Sequence, residues 1–410
     1  MTNALNRLLS MSESERSRRG VRHTVPEIAG QVELWKVNRR LFEGRRDELR
    51  RYLEPFRAGQ RQYLVCCGAG TSEFVGHCLE GLLQQRLRLP VKVASTTRIV
   101  TTPAEVFVND WPVLLVSFAR SGNSPESLGA VRIAEQLCPE LSHLLITCNP
   151  SGALAQEAGG LKRSLTLLLD ERSEDQGLAM TASFSNLVVA GQMLAHLDSW
   201  DQYCDNFEAL CALGRGALER APAAVEATAR LGFDRAVFLG DGAHAGTAVE
   251  SHLKLQEMTA GKVMCTWDTF AGLRHGPEAV IHSNTLVVAY LSADGFAQAY
   301  ELDLLRELRN KRVGRRVLAV CQRAVPGLGE LADTVIECAA EGTPVVPDNL
   351  APPAYIIAGQ LLGMFTSLQL GLSPDDPSPS GVIHRVVEGV RVYDPRAYAR
   401  DGKLSVLAER

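Results

Sequence analysis

The 410-residue chain has no surplus of basic residues with which to hold a polyanion: 43 Lys and Arg stand against 47 Asp and Glu, a formal net charge of −4. That balance argues against nucleic acid or an anionic membrane bound by bulk charge, although a local pocket of amides and hydroxyls can still take a small anion. No run of 18 apolar residues occurs, so no membrane-spanning helix is expected. The opening stretch, MTNALNRLLSMSESERSRRG, lacks a basic segment followed by an apolar core, so no signal peptide is expected. The ten cysteines are scattered without a C-x-x-C pair, and several sit in apolar runs such as YLVCCG and LLITCN. Buried, reduced thiols in a cytoplasmic protein are therefore expected, and zinc is not. His23, His77, His143, His196, His244 and His282 read as structural, none standing at metal-ligand spacing from another. Neither G-x-G-x-x-G nor G-K-[ST] is present, which excludes dinucleotide binding and nucleotide triphosphate hydrolysis as expectations. No metal and no cofactor are expected.

What is present is an internal repeat. The apolar run QYLVCC leads into Gly68-Ala69-Gly70-Thr71-Ser72 and a helical pattern; later RAVFLG leads into Gly240-Asp241-Gly242-Ala243-His244 and another. A second strand signal follows in each half (WPVLLVSFA and TLVVAYLSA), and then a third (HLLITCNP and RRVLAVCQ). Near-continuous apolar strands alternating with helices predict α/β architecture: two doubly wound parallel sheets, each an α-β-α sandwich. The expected division is a helical N-terminal segment over 1–55, a first unit over 56–212, a helical connector over 213–230, a second unit over 231–371 and a tail over 372–410. The tail opens with the Pro-rich SPDDPSPSG, which cannot be helix or central strand.

Two places carry chemistry. The loop after the second strand of the first half, SFARSGNSPES, is rich in hydroxyls and opens a helix. Helix-start amides with Ser121 and Ser124 could complete a phosphate shell, while plain helix capping is the alternative use of the same residues. In the second half, Glu250, Lys254 and Glu257 fall on one helix face, with His252 on the opposite side. Lys254 is expected to neutralise Glu250 and leave Glu257 free. Downstream, Arg274-His275-Gly276-Pro277 puts a histidine on a turn.

GAGTS followed by SFARSGNSPES resembles the sugar isomerase (SIS) domain, which binds phosphorylated sugars. Both halves resemble such units, so the resemblance covers essentially the whole chain. HTVPEIAGQ, ESHLKLQEMTAG, TFAGLRHGPEAVI and PSGVIHRVVEGV add a similarity to AgaS-type proteins, described as tagatose-6-phosphate ketose/aldose isomerases or galactosamine-6-phosphate deaminases. The resemblance implies that Thr71, Ser72, Arg120, Ser121 and Ser124 hold the sugar phosphate and neighbouring hydroxyls, with Glu250 beside them. By similarity to the isomerase domain of glucosamine-6-phosphate synthase, Glu257 carries a proton between C1 and C2 and Lys254 supports the intermediate. There His275 assists ring opening from the adjoining subunit of a homodimer, a step suited to histidine, which titrates near about 6.5. His384 is the best placement for that synthase's tail lysine.

This chain begins Met1-Thr2, without the synthase's glutaminase domain and its N-terminal cysteine. Release of ammonia is therefore expected rather than its installation. The expected reaction is galactosamine 6-phosphate to tagatose 6-phosphate plus ammonia, through an enediol or enolamine. Loss of the amine would also class the enzyme as a hydrolase. A plain isomerase or a deglycase of an amine–sugar phosphate adduct needs the same acid–base pair, and a non-catalytic sugar-phosphate regulator is the alternative of a different class.

Overall fold

Side chains that alternate along a strand point to opposite faces, and that alternation organises both halves of the chain. The computed structural model describes residues 3–56, 61–108, 110–378, 380–387 and 389–407. Met1, Thr2, Pro379 and Glu388, which fall in segments quoted above, lie outside the described residues. Strands β1 (Tyr63–Gly68), β2 (Val91–Ser95), β3 (Val113–Ala119), β4 (Leu141–Thr147) and β5 (Ser164–Leu168) pair in the order β2-β1-β3-β4-β5. Strands β6 (Arg235–Leu239), β7 (Met264–Asp268), β8 (Thr285–Tyr290), β9 (Arg316–Cys321) and β10 (Thr334–Glu337) pair in the order β10-β9-β8-β6-β7. Every pairing is parallel. These are the two doubly wound sheets that the repeat predicts.

Leu64, Cys66, Leu114 and Val116 of the first sheet, with Ala236, Phe238, Leu286 and Val288 of the second, join one shared core. Their strand neighbours point the other way into separate cores, Val65, Cys67 and Leu115 in one and Val237, Leu239 and Val287 in another. Burial on both faces is why the strands read as continuous apolar runs. The shared core also takes two apolar helices, Ala182–Ala195 and Pro352–Gln369. The run 213–230 forms the second half and C-cap of a longer helix, Trp200–Ala229, whose earlier start follows from Trp200, Tyr203, Phe207 and Leu210 buried at helical spacing. All ten cysteines are free thiols, eight buried and two half-buried. Among the described residues, no helix is long and apolar enough to cross a membrane.

Each sheet is wound outward in both directions from its first strand, so a crevice opens between the loops after β1 and β3 and another between those after β6 and β8. The helices that follow β1 and β6, Thr71–Leu87 and Ala243–Met258, start in the same way. Gly70 has φ +54° and ψ −125°, and Gly242 φ +55° and ψ −127°, a conformation open to glycine alone. The two helices pack directly on each other: a Cβ at Gly246 would lie 2.5 Å from the Cys78 backbone nitrogen. Gly246→Ala is therefore expected to cost about 1–3 kcal/mol by overpacking. Chemical denaturation should show that loss as a lower midpoint with an unchanged slope.

Candidate active site

The contact between these helices brings the second-half acid–base residues to the first-half loops. Lys254 is fully buried, and its Nζ lies 2.6 Å from Glu257 Oε2, 3.4 Å from Glu250 Oε1 and 3.1 Å from Thr71 Oγ1. Thr71, the first residue of its helix, donates its hydroxyl to Glu250 Oε1 at 3.2 Å. Glu250 is also fully buried, and its Oε2 has no partner. Glu257 is the one member in contact with solvent, its side chain 25% exposed.

This geometry reverses the expected pairing. Burial pushes the Glu250 carboxyl up to about 8; Lys254 opposes that rise and the Glu257 charge adds to it. Burial alone would depress the Lys254 ammonium, but the Glu250 and Glu257 carboxylates outweigh it and raise its pKa. One ammonium cannot neutralise two carboxylates, and the proton falls to the more desolvated acid. Glu250 is therefore held neutral at pH 7, and Lys254 pairs with Glu257 rather than freeing it. His252, across the helix, is half-buried and bonds through Nδ1 to the Val249 carbonyl.

The hydroxyl loop stands at the mouth of the same crevice. Gly122 turns the chain at φ +67°, and Asn123 accepts from the Ala153 amide at 2.9 Å. Ser124 caps the helix Pro125–Leu137, its Oγ accepting from the Ser127 amide and bonding the Ser127 hydroxyl at 2.7 Å. Ser121 is half-buried, with its Oγ turned to the Asn123 amide. Ser72, beside Thr71, is buried against Met180. Capping and anion binding thus draw on the same residues.

Arg120 is placed differently from a phosphate-binding arginine. Its buried guanidinium donates to the carbonyls of Gly177, Leu178 and Arg385. Burial lowers its pKa, against the pull of the Asp175, Glu257 and Glu27 carboxylates. Arg120 therefore ties the 174–181 loop and the tail together next to Glu257. Three residues that the sequence did not single out complete this bracing. Asp175 is fully buried and accepts from the amides of Thr181, Ala182 and Ser183. Glu27 accepts from the Gln176 and Gly177 amides, and burial, helped by the Asp175 charge, pushes it up to about 8. Arg385 donates to the Asp175 carbonyl at 2.9 Å and the Glu174 carboxylate at 3.0 Å. HTVPEIAGQ and the tail motif contain two of the three, but no sequence spacing links them to positions so far away along the chain.

His275 and His384 are not brought to Lys254 within one chain. His275 is exposed beside Gly276, at φ +117°, and its side chain has no hydrogen bond or ion pair among the described residues. His384 is exposed on the tail, while its neighbour Arg385 turns inward. Among the described residues no group of three or more His, Cys, Asp or Glu is placed to hold a metal ion.

A repeated doubly wound unit, with hydroxyl loops of one half facing an acid–base helix of the other, defines a sugar isomerase (SIS) protein. Over 384 residues the chain is 37% identical to an AgaS protein of Streptomyces coelicolor, covering 90% of this chain and 95% of that one. Over 393 residues it is 33% identical to the D-galactosamine-6-phosphate deaminase AgaS of Escherichia coli, with 90% and 95% covered. A solved structure from Clostridium novyi NT, described as a candidate tagatose-6-phosphate ketose/aldose isomerase, superposes with a TM-score of 0.90 at 35% identity, covering 94% of this chain and 98% of that one. No protein-family model matches. The chain belongs to the AgaS family. The relatives are named deaminase and ketose/aldose isomerase, so the expected classification as a hydrolase is withdrawn.

The raised Glu250 carboxyl makes stability depend on pH. Between its ordinary value of 4.5 and about 8, the folded chain keeps a proton that the unfolded chain gives up. Stability contributed by this group therefore falls as pH rises through that window and is level above it. Glu250→Gln mimics the protonated acid in the folded and the unfolded chain alike, so its Tm should match the unsubstituted protein near pH 4, exceed it in part at pH 6 and exceed it most at pH 9. The expected gain is about 1 °C for each kcal/mol recovered in a chain of this size, read by scanning calorimetry.

Proposed function

We propose that this protein deaminates an amino sugar 6-phosphate, with galactosamine 6-phosphate as substrate and tagatose 6-phosphate and ammonia as products. The observation that carries the reading is the buried Lys254 held between Glu257 and Glu250 against the Thr71 helix start. A carbon acid needs a base that is partly open to substrate yet fixed in place, and Glu257 has both properties. The phosphate lies at the amides that open Pro125–Leu137, with Ser121, Ser124 and Thr71 around the sugar. Arg120 acts at one remove, by holding the 174–181 loop against the tail.

In the proposed sequence the ring oxygen takes a proton and the sugar opens to its aldehyde. Glu257 removes the proton from C2, giving an enolamine, and returns it to C1. The resulting C2 imine adds water and releases ammonia, leaving a keto group at C2. Lys254 holds its charge next to Glu257 throughout and faces the negative charge that develops on the C1 oxygen. Glu250, kept neutral, fixes Thr71 without competing for that ammonium. Ring opening falls to His275 of a second subunit, in a cytoplasmic homodimer with a shared site. Its exposed position on a Gly-Pro turn supports that assignment.

An ammonia-coupled assay across hexosamine 6-phosphates tests the reaction. Ammonia from galactosamine 6-phosphate is expected, and Glu257→Gln should lower kcat by about 10²–10⁴-fold. Interconversion of tagatose 6-phosphate without any ammonia would leave a plain isomerase instead, and full turnover by Glu257→Gln would remove the mechanism. The shared site has its own test. Mixing inactive His275→Ala and Glu257→Gln proteins under subunit exchange should restore part of the activity, because one mixed site then holds both groups. Failure to recover any would leave His275 acting within its own subunit, and full activity of His275→Ala alone would place it outside the site.

A further inference from the structure

Ring opening, as proposed above, falls to His275, yet the packing of its own turn does not hold that side chain. His275, Gly276 and Pro277 are all exposed, and a side chain at Gly276 would meet nothing within 4 Å. Local backbone bonds shape the turn: the His275 amide donates to the Gly272 carbonyl at 2.9 Å and the Ala279 amide to the Gly276 carbonyl at 3.1 Å. What ties the turn to the body of the second unit is a set of charges on its two flanks.

Arg274, just before His275, donates through Nε to Glu307 Oε2 at 2.7 Å. Glu278, just after the Gly-Pro pair, accepts from Lys311 Nζ at 2.7 Å on Oε1 and 2.9 Å on Oε2. Lys311 also donates to Glu307 Oε1 at 2.6 Å. Glu307 and Lys311 stand one turn apart on the helix Gly295–Lys311, whose Leu304, Leu305 and Leu308 are buried in the core of the second unit. The result is an unbroken chain, Arg274–Glu307–Lys311–Glu278, that brackets His275 from both sides. An isolated exposed ion pair contributes little, because fixing two long side chains offsets most of the attraction. Here each middle residue serves two partners, so ordering it once secures two bonds. Both oxygens of Glu307 and both oxygens of Glu278 are engaged.

We propose that Glu307 and Lys311 are positioning residues for ring opening, holding the His275 turn so that its imidazole meets the ring oxygen of the sugar. Neither touches the substrate. A histidine offered to a second subunit has no side chain of its own chain to orient it, so its turn must be set before the subunits meet. This rests on the role given to His275 under the proposed function.

Anomerisation reads ring opening by itself. In Glu257→Gln protein an opened sugar can only close again, so exchange between the α and β anomers of galactosamine 6-phosphate, followed by exchange NMR at saturating substrate, reports that step. In this background His275→Ala should reduce exchange to the uncatalysed rate. Glu307→Ala, which cuts both middle links, should slow it by about 10–100-fold, the cost of a small misplacement of a reacting group. Lys311→Met should slow it less, since Arg274 keeps Glu307, and Glu307→Asp should recover part of the rate. Arg306→Met breaks the Arg306–Asp303 pair on the same helix without touching the turn, and should change nothing. Tm and sugar-phosphate affinity should be the same in all of these proteins, which separates positioning from a general loss of structure. Undiminished exchange in Glu307→Ala, beside its loss in His275→Ala, would overturn the inference and leave the proposed function standing; so would an equal loss in Arg306→Met. Exchange absent from Glu257→Gln protein, or unaffected by His275→Ala, would remove ring opening by His275 and the positioning role with it.

Discussion

A lysine ammonium with no access to water must be surrounded by groups that hold its charge, and Lys254 sets that requirement at the centre of this molecule. Two carboxylates and a hydroxyl meet it, and they come from both halves of the chain. The halves must therefore pack closely enough for a helix of one to supply the hydroxyl to a helix of the other. Gly246 permits the approach, and the shared core beneath both sheets fixes it. A fold built from two similar units thus becomes a single electrostatic assembly. With one positive charge between two acids of unequal solvation, the ammonium pairs with the partly open acid and the closed one keeps its proton. That division separates a group able to work on a substrate from one that only holds the framework.

Much of this was legible in the sequence, for identifiable reasons. Strands buried on both faces announce themselves as apolar runs, and the glycines before Thr71 and Ala243 mark turns that other residues cannot make. The common face of Glu250, Lys254 and Glu257 follows from helical geometry. Which carboxylate takes the lysine does not, because angular spacing says nothing about solvent. Burial of Glu250 is a property of the helix packed above it.

Residues whose partners are remote in the chain were the ones missed. Asp175 caps a helix from several residues away, Glu27 reaches amides from the N-terminal segment, and Arg385 arrives from the tail. Each side chain satisfies backbone groups that have no regular partner, and such groups carry no pattern along the sequence. Arg120 misleads in the opposite way. Its place in a phosphate-binding motif suggests contact with a ligand, yet three carbonyls claim its guanidinium. His384 shows how narrow the margin is, since its neighbour is the residue that turns inward.

The bracing of the 174–181 loop also bears on how the protein is made. Asp375 accepts from the Thr24 amide at 2.8 Å, and its own amide bonds the Gly20 carbonyl at 2.8 Å, so the end of the chain caps a helix near its beginning. Leu178 in turn donates to the Asp375 carbonyl. During synthesis the first sheet can assemble well before residue 375 leaves the ribosome, since domains fold as they emerge. The loop beside Glu257 cannot take its final form until that residue arrives. Until then the Thr24 and Leu178 amides lack the partner that Asp375 gives them.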